Sequence, residues 1–500
     1  MRLGPLFFVL LIALISTYSD VLTGSHNFLS NDKVSAMNVK EAINQSDDYP
    51  YWFPWMMGGV PSVHSAQNIS DYYPPNYIMK LLNLIGVPWF FNYIFHLMFA
   101  GIGVYFLSRK LKLGETASIV SALGFSLLPH TMAMLVYGHG SQIMTISYIP
   151  WVIFSYMKLR ENISLKNLGF FSLLLALQLL RGHVQIAYYT WLMLGVYFLV
   201  DCMHYFIVQK EREVKWIFYT ISGLILGVVA SLSLYLPILS YSYFSTRDSA
   251  SFIDDFSIRG MSLQQYWATE YSFSFEEVIT FFIPSFFGFG NSSYWGSMTG
   301  TNFPNYMSVI LLLFAVYGII RYRWTKFKIF CIICGVFFLI LSFGKNFLSF
   351  FIFFDSILPF FSKFRNPMYL LIIFQFCVMM LSAMGLSMIF KDIRDKSKAL
   401  FIFSGFCVLF FSITPFFLKG KIAKSVSSEK IAKSIYEKNL DYLEFKYFKR
   451  ELDQQSRDFY KEKVKEDINK TNHTSFVQSM ILEDISVMAF FISVVFLLLI

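Results

Sequence analysis

Apolar runs long enough to cross a bilayer follow one another along this chain, and basic residues cluster in every second loop between them. A spanning helix needs about 20 mostly apolar residues. Candidate spans lie near 3–20, 87–107, 116–135, 141–158, 167–181, 184–206, 216–241, 305–321, 327–343, 366–390, 399–418 and 481–500. In lipid each backbone N–H and C=O must find a partner inside its own segment, which leaves helices as the economical solution. The expectation is an all-α polytopic membrane protein with about twelve transmembrane helices. The first run follows Arg2 and has no small-x-small cleavage site after it, so it reads as an uncleaved first helix.

Composition agrees. Hydrophobic residues make up 56% of the chain and charged residues 15%, against about 25% charged in an ordinary soluble domain. A soluble enzyme, a disordered chain and a fibrous repeat are thereby excluded. The net charge of +9 does not indicate a nucleic-acid partner, because the cations are dispersed between apolar runs.

Their distribution instead sets orientation. Arg109, Lys110 and Lys112, then Lys158, Arg160 and Lys166, then Lys210, Arg212 and Lys215 occupy three even-numbered loops. Arg321, Arg323, Lys326 and Lys328, then Lys391, Arg394, Lys396 and Lys398, occupy the next two. The short odd loops at 136–140, 181–183 and 344–365 hold far fewer. By the positive-inside rule the even loops and the N-terminus are cytoplasmic. The longer segments 21–86, 242–304 and 419–480 then face outward. The organisation expected is a core over 1–418, an outer helical insert over 419–480 and a last transmembrane helix over 481–500. The insert carries mixed Lys and Glu on a helical pattern and reads as a solvated charged helix. The final apolar run ends at Ile500 without flanking basic residues, which leaves a truncated C-terminus open.

Unusual polar and aromatic residues gather on the outer side. The first outer loop holds Asp32, then DDYPYWFPWMMGGVPS from Asp47 to Ser62, then DYYPPNY from Asp71 to Tyr77. Pro, Gly and Trp at this density make a shaped loop, in which Trp52 and Trp55 either anchor at the membrane interface or stack on sugar rings. Two hairpin tips are polar: YGHGSQ with His139 and Gln142, and RGHVQIAYY with Arg181, His183 and Gln185. Ionisable groups at membrane depth or its edge are candidates for function, and capping or interhelical hydrogen bonding is the alternative. LSFGKN and LPFFSKFRNPMY place Lys345 and Arg365 at the outer boundary, separated by an aromatic run, Phe347 to Phe354, that reads as re-entrant or interfacial. Guanidinium and ammonium groups there suit a phosphate, unless they only snorkel. The loop PSFFGFGNSSYWGSMTG adds Trp295.

No GxxxxGK[ST], GxSxG or HExxH pattern is present, so nothing supports ATP hydrolysis, serine-hydrolase chemistry or zincin proteolysis. The five cysteines, Cys202, Cys331, Cys334, Cys377 and Cys407, lie in or beside apolar runs and do not read as a disulfide framework. Cys331 and Cys334 have CxxC spacing but no accompanying ligands.

Asp32 after a first helix, YPYWFPWMMGGVPS, GHGSQ, HVQIAYY, STR, IPSFFGFGNSSYWG and FGKN with LPFFSKFRNP occur in one order over residues 1–390. Together they resemble the bacterial YfhO-like membrane protein family, which is similar to the GT-C superfamily of polytopic glycosyltransferases. The resemblance implies a bacterial cytoplasmic (inner) membrane location, a polyprenyl-phosphate-linked sugar as donor and a cell-envelope glycan or lipid as acceptor on the outer face. It also implies an acidic catalytic residue in the first outer loop. Asp32 is the matching position, with Asp47 and Asp48 as substitutes if the loop aligns differently. Gln142 departs from the pattern, since relatives often carry Lys there. The superfamily admits a divalent metal, for which the sequence has no recognisable ligand set.

On this expectation Asp32 is the general base that takes the acceptor proton, and Lys345, Arg365 and Arg181 bind the donor phosphate. His139, His183 and Gln185 support the site, and Trp52, Trp55 and Trp295 stack on sugar or lipid. A transporter or flippase for lipid-linked sugars would use the same surface without a base. A non-catalytic envelope-assembly protein would use it only as scaffold.

Overall fold

The computed structural model describes residues 3–22, 41, 51–54, 59–62, 70–210, 213–242, 244, 257–258, 261–262, 265, 268–288, 294–298, 304–425, 458–459, 462 and 473–499, with backbone alone at 3, 70, 257–258, 261–262, 362, 414–425 and 473–476. The helices are α1 (Leu3–Thr17), α2 (Pro75–Leu84), α3 (Phe91–Lys110), α4 (Glu115–Ser126), α5 (Pro129–Val136), α6 (Gly140–Ile146), α7 (Ile149–Glu161), α8 (Leu165–Leu180) and α9 (Val184–Met203). They continue as α10 (Lys215–Val229), α11 (Leu232–Ser242), α12 (Val309–Arg321), α13 (Lys326–Ser342), α14 (Leu348–Ile357), α15 (Leu371–Arg394), α16 (Lys398–Ser425) and α17 (His473–Leu497). Two two-residue antiparallel ladders are the strands among the described residues: β1 (Trp52–Phe53) with β2 (Val60–Pro61), and β3 (Ser257–Ile258) with β4 (Met261–Ser262).

The fold is all-α and polytopic. Among the described residues five helices are long and apolar enough to cross a membrane, or up to seven if each bent pair is one span. The expected run 141–158 is divided into α6 and α7, with Pro150 in the first turn of α7. Proline lacks an N–H and suits only a first turn, so it begins a helix where the apolar pattern alone reads as continuous. The pair α10–α11 is bent by 71°. Helix α13 turns by 104° into the segment Gly344–Ile357, so the aromatic run after Lys345 lies across the bundle direction. The boundaries expected at 418 and 481 fall inside α16 and α17. Most of 419–480 lies outside the described residues.

Helix α15 is the axis of the core. It packs along α12 and α13 and also touches α4, and its residues from Leu371 to Leu386 are nearly all buried. The contact with α12 is made through glycine. A Cβ on Gly385 would lie 1.8 Å from the Phe314 carbonyl oxygen, and one on Gly318 would lie 2.4 Å from that of Leu381. Lipid offers no hydrophobic drive between helices, so small residues that let backbones approach supply dispersion contact instead. Outward-facing positions are apolar and exposed, as at Phe218 and Ile402, which a bilayer solvates.

One end of the bundle is tied by ion pairs. Asp201, at the end of α9, is 2% exposed and accepts from Arg160 Nε at 3.1 Å and Lys326 Nζ at 2.5 Å, with the Tyr156 hydroxyl donating at 3.1 Å. It therefore joins α7, α9 and α13. Arg160 also lies 4.3 Å above the Trp216 ring. Asp392 takes two hydrogen bonds from Arg321, from Nε at 3.2 Å and Nη2 at 3.3 Å, and a third from the Tyr317 hydroxyl. Lys110 pairs with Glu161. Several cations that mark the even loops are thus built into carboxylate clusters.

Candidate functional site

The opposite end carries the polar hairpin tips and the segments on either side of α14. A short stretch, 269–273, is fastened between them. Ser272 Oγ accepts from the Lys345 amide at 2.9 Å, Phe273 N donates to Ser342 O at 2.9 Å, and Met368 N donates to Tyr271 O at 3.2 Å. Gly344 makes the approach possible. Its φ is +42° and a Cβ there would lie 2.0 Å from Ser272 Oγ, so an L side chain would be strained and would collide. Asn346 Nδ2 donates to Phe273 O at 2.8 Å and closes the same contact.

This clamp sets Glu270 between two separated pieces of chain. Its half-buried carboxyl lies within electrostatic reach of Arg365 and Lys345. Burial pushes its pKa up from the ordinary 4.5, and the two cations pull it back. Both expected cations thus lie within electrostatic reach of one carboxylate that the sequence reading passed over. Nothing in WATEYS distinguishes Glu270 from any other loop acid, because its neighbours come from residues about 75 and 95 positions away.

The hairpin tips join the same end. Gln185 Nε2 donates to Asn366 O at 3.1 Å and to Arg365 O, and its amide also reaches Tyr189 Oη at 2.9 Å. Asn366 has a left-handed backbone, φ +68°, which asparagine tolerates better than most residues. His183 heads α9, where its ring accepts from Ile186 N at 3.4 Å, and packs edge-on against Tyr369 with centroids 5.7 Å apart. Gln142 Nε2 donates to Tyr369 Oη at 2.8 Å. His139, the residue before α6, is within electrostatic reach of His130, which is buried beside Asn305. Gln185 thus ties the start of α9 to the 365–366 turn, and Tyr369 joins His183 to Gln142.

Arg181 belongs to a different set. It is 7% exposed, its Nε points at Met144 Sδ at 2.7 Å, and its guanidinium carbon sits 5.4 Å above the Tyr73 ring. Tyr93 and Tyr148 also lie within its electrostatic reach. Tyr73 Oη meets His96 Nε2 at 2.8 Å and also bonds the Tyr148 hydroxyl, while His96 Nδ1 lies 2.6 Å from Asn92 O. The DYYPPNY loop supplies Tyr73, and only the fold connects it to His96 and Arg181.

The aromatic candidates divide. Trp52 is 55% exposed on β1, with its ring lying over Gly59, and keeps a free face. The Trp295 ring instead packs on Phe286 and Phe287, with centroids 5.8 and 4.6 Å away. Asp32, Asp47, Asp48 and Trp55 lie outside the described residues.

Among the described residues no group of three or more His, Cys, Asp or Glu side chains is arranged to hold a metal. Cys331, Cys334 and Cys377 are nevertheless buried together, with the Cys377 thiol in hydrogen-bonding relation to both others across α13 and α15. Asp201 and Asp392 went unnoticed in the sequence, although an acid within or at the end of an apolar run is itself a signal. Comparison with known proteins finds no family model, no curated protein and no solved structure that matches the chain.

Proposed function

We propose that this chain is a GT-C-like membrane glycosyltransferase, which moves a sugar from a polyprenyl-phosphate donor to a cell-envelope acceptor. The observation that carries the reading is the meeting of Glu270, Lys345 and Arg365 at the end of the bundle away from the Asp201 and Asp392 clusters. In the topology proposed, about twelve spans cross a bacterial cytoplasmic membrane with the N-terminus inside. The even loops are then cytoplasmic and the site faces outward.

Transfer makes a bond between the acceptor oxygen and the anomeric carbon and breaks the bond from that carbon to the phosphate oxygen. The acceptor proton passes to a carboxylate, for which Asp32 is the proposed base. The departing polyprenyl phosphate gains negative charge as the sugar becomes oxocarbenium-like, and Lys345 and Arg365 are proposed to stabilise it. Glu270, within electrostatic reach of both cations, is proposed to lower their net charge when ionised, before substrate arrives. Trp52 offers its exposed ring to a sugar face.

The test is transfer in vesicles from several polyprenyl-phosphate sugars, with and without chelator. Asp32→Asn is expected to abolish transfer while expression and insertion persist. A purified variant with near-normal transfer would remove Asp32 from the mechanism, and failure of every donor with wild-type protein would remove the enzyme.

A further inference from the structure

Arg181 is the least compensated charge among the described residues. It is buried at the tip between α8 and α9, and no described carboxylate pairs with it. The other strongly buried ionised groups are answered: Asp201 by Arg160 and Lys326, Asp392 by Arg321, and Lys328 by the Ile319 and Tyr322 carbonyls at 2.7 and 2.6 Å. Arg181 has a thioether sulfur at Nε and the face of Tyr73. A thioether is a weak acceptor, and a ring face contributes far less than an anion. Burying a charge without a partner is costly enough that proteins pair it or neutralise it. An arginine does not escape by losing its proton.

The surroundings are set up for this charge. A carbonyl only accepts, so His96 Nδ1 carries the proton toward Asn92 O. The bare Nε2 of the neutral ring then accepts from Tyr73 Oη, and the Tyr73 oxygen accepts in turn from Tyr148. Both phenol protons are thereby used within this chain of hydrogen bonds. Gly140 allows Tyr93 to close the niche, since a Cβ there would lie 2.3 Å from the Tyr93 ring. The result is a polar cage that orients a guanidinium without neutralising it.

We infer that Arg181 is a second oxyanion-binding centre, separate from the Lys345–Glu270–Arg365 group, and that it takes one phosphate-type anion on its two terminal nitrogens. The planar fork of arginine matches two oxygens of such a group. The Lys345 and Arg365 pair already has a resident carboxylate, and Arg181 does not. The role of the bound anion in sugar transfer rests on the reading above, whereas its binding does not.

The experiment measures the unfolding temperature and affinity of the full chain in neutral-lipid nanodiscs with three probes: inorganic phosphate, dodecyl phosphate and uncharged dodecyl maltoside. Wild type is expected to be stabilised by one or both anions and not by the maltoside. Response to dodecyl phosphate alone identifies a lipid-borne group, and equal response to inorganic phosphate identifies a free one. Arg181→Gln is expected to weaken anion binding by about tenfold to a hundredfold, while its ligand-free unfolding temperature stays level or rises because an uncompensated charge is gone. Lys345→Gln is expected to retain the Arg181-dependent response. If Arg181→Gln does not fold, Arg181→Lys keeps the charge without the fork and is expected to bind more weakly than wild type at unchanged stability. Absence of anion stabilisation in wild type overturns the inference, as does an undiminished response in the Arg181 variant. A ligand-free loss of stability with unchanged affinity would make Arg181 structural. Because binding is read without turnover, lost transfer with intact binding counts only against the glycosyltransferase reading.

Discussion

The Gln142 side chain donates a 2.8 Å hydrogen bond to the Tyr369 hydroxyl across a sequence separation of 227 residues. It connects the first turn of α6 to the turn that follows Arg365, at the position where a lysine is expected from the family resemblance. A neutral amide there donates without adding a third cation beside Lys345 and Arg365. Mutating the pair tests whether this link is energetic. Gln142→Leu and Tyr369→Phe are each expected to destabilise the protein, and a double-mutant cycle on thermal or denaturant unfolding should give a coupling of about 0.5–1.5 kcal/mol. Additive effects would show that the two side chains do not cooperate.

Removing the carboxylate that joins three helices should be more severe. Asp201→Asn leaves Arg160 and Lys326 facing a neutral amide at a site where the acid is 2% exposed. A loss of about 3–5 kcal/mol is expected, as for other broken buried pairs, with the two exposed-side cations reducing it toward the lower value. Unfolding of the purified variant in detergent checks this, and a change below about 1 kcal/mol would place the cluster with surface pairs.

The glycine seam gives a steric prediction. Gly385→Leu has no relief, because the obstacle is the Phe314 backbone carbonyl and not a flexible side chain. Destabilisation of about 3 kcal/mol or more is expected, and Gly385→Ala should already be measurable. Gly405 has nothing within 4 Å of a built Cβ, so Gly405→Ala on α16 serves as the control that leaves unfolding nearly unchanged.

Glu270 gives a pH dependence. Its folded pKa is raised from 4.5, so in the window just above that value the folded state binds the proton that the unfolded state has lost. Stability from this group is full below about 4.5 and declines as pH rises to the folded pKa. Glu270→Gln should therefore gain stability relative to wild type as pH increases through that window, and then run parallel to it. Unfolding temperatures of both proteins from pH 4 to 7.5 check the sign. A difference that moves the other way would mean that Arg365 and Lys345 outweigh burial.

What could be read directly from the chain was whatever depends on neighbours in sequence. The described part of each apolar run expected to span is mostly helical, and the aromatic run after Lys345 does not continue α13, because the backbone turns at Gly344 with φ +42°. The polar tips at His139 and His183 also follow from local pattern. The partners do not. Glu270 meets Lys345 and Arg365, Tyr73 meets His96 and Tyr148, and Cys377 meets Cys331 and Cys334 through helix packing that no window of residues encodes. The break between α6 and α7 was legible in Pro150, yet a hydropathy pattern overrides a single proline unless its missing N–H is considered.

Helix α15 follows directly on Tyr369 at one end and reaches Asp392 near the other, and the seam at Gly385 holds it against α12 between them. Backbones in that degree of contact cannot slide past one another or rotate separately. The helix therefore behaves as a stiff strut whose two ends share one position. A displacement imposed where Tyr369 meets Gln142 and His183 must either be absorbed in the turn at Asn366 or be carried to the Asp392–Arg321 fork.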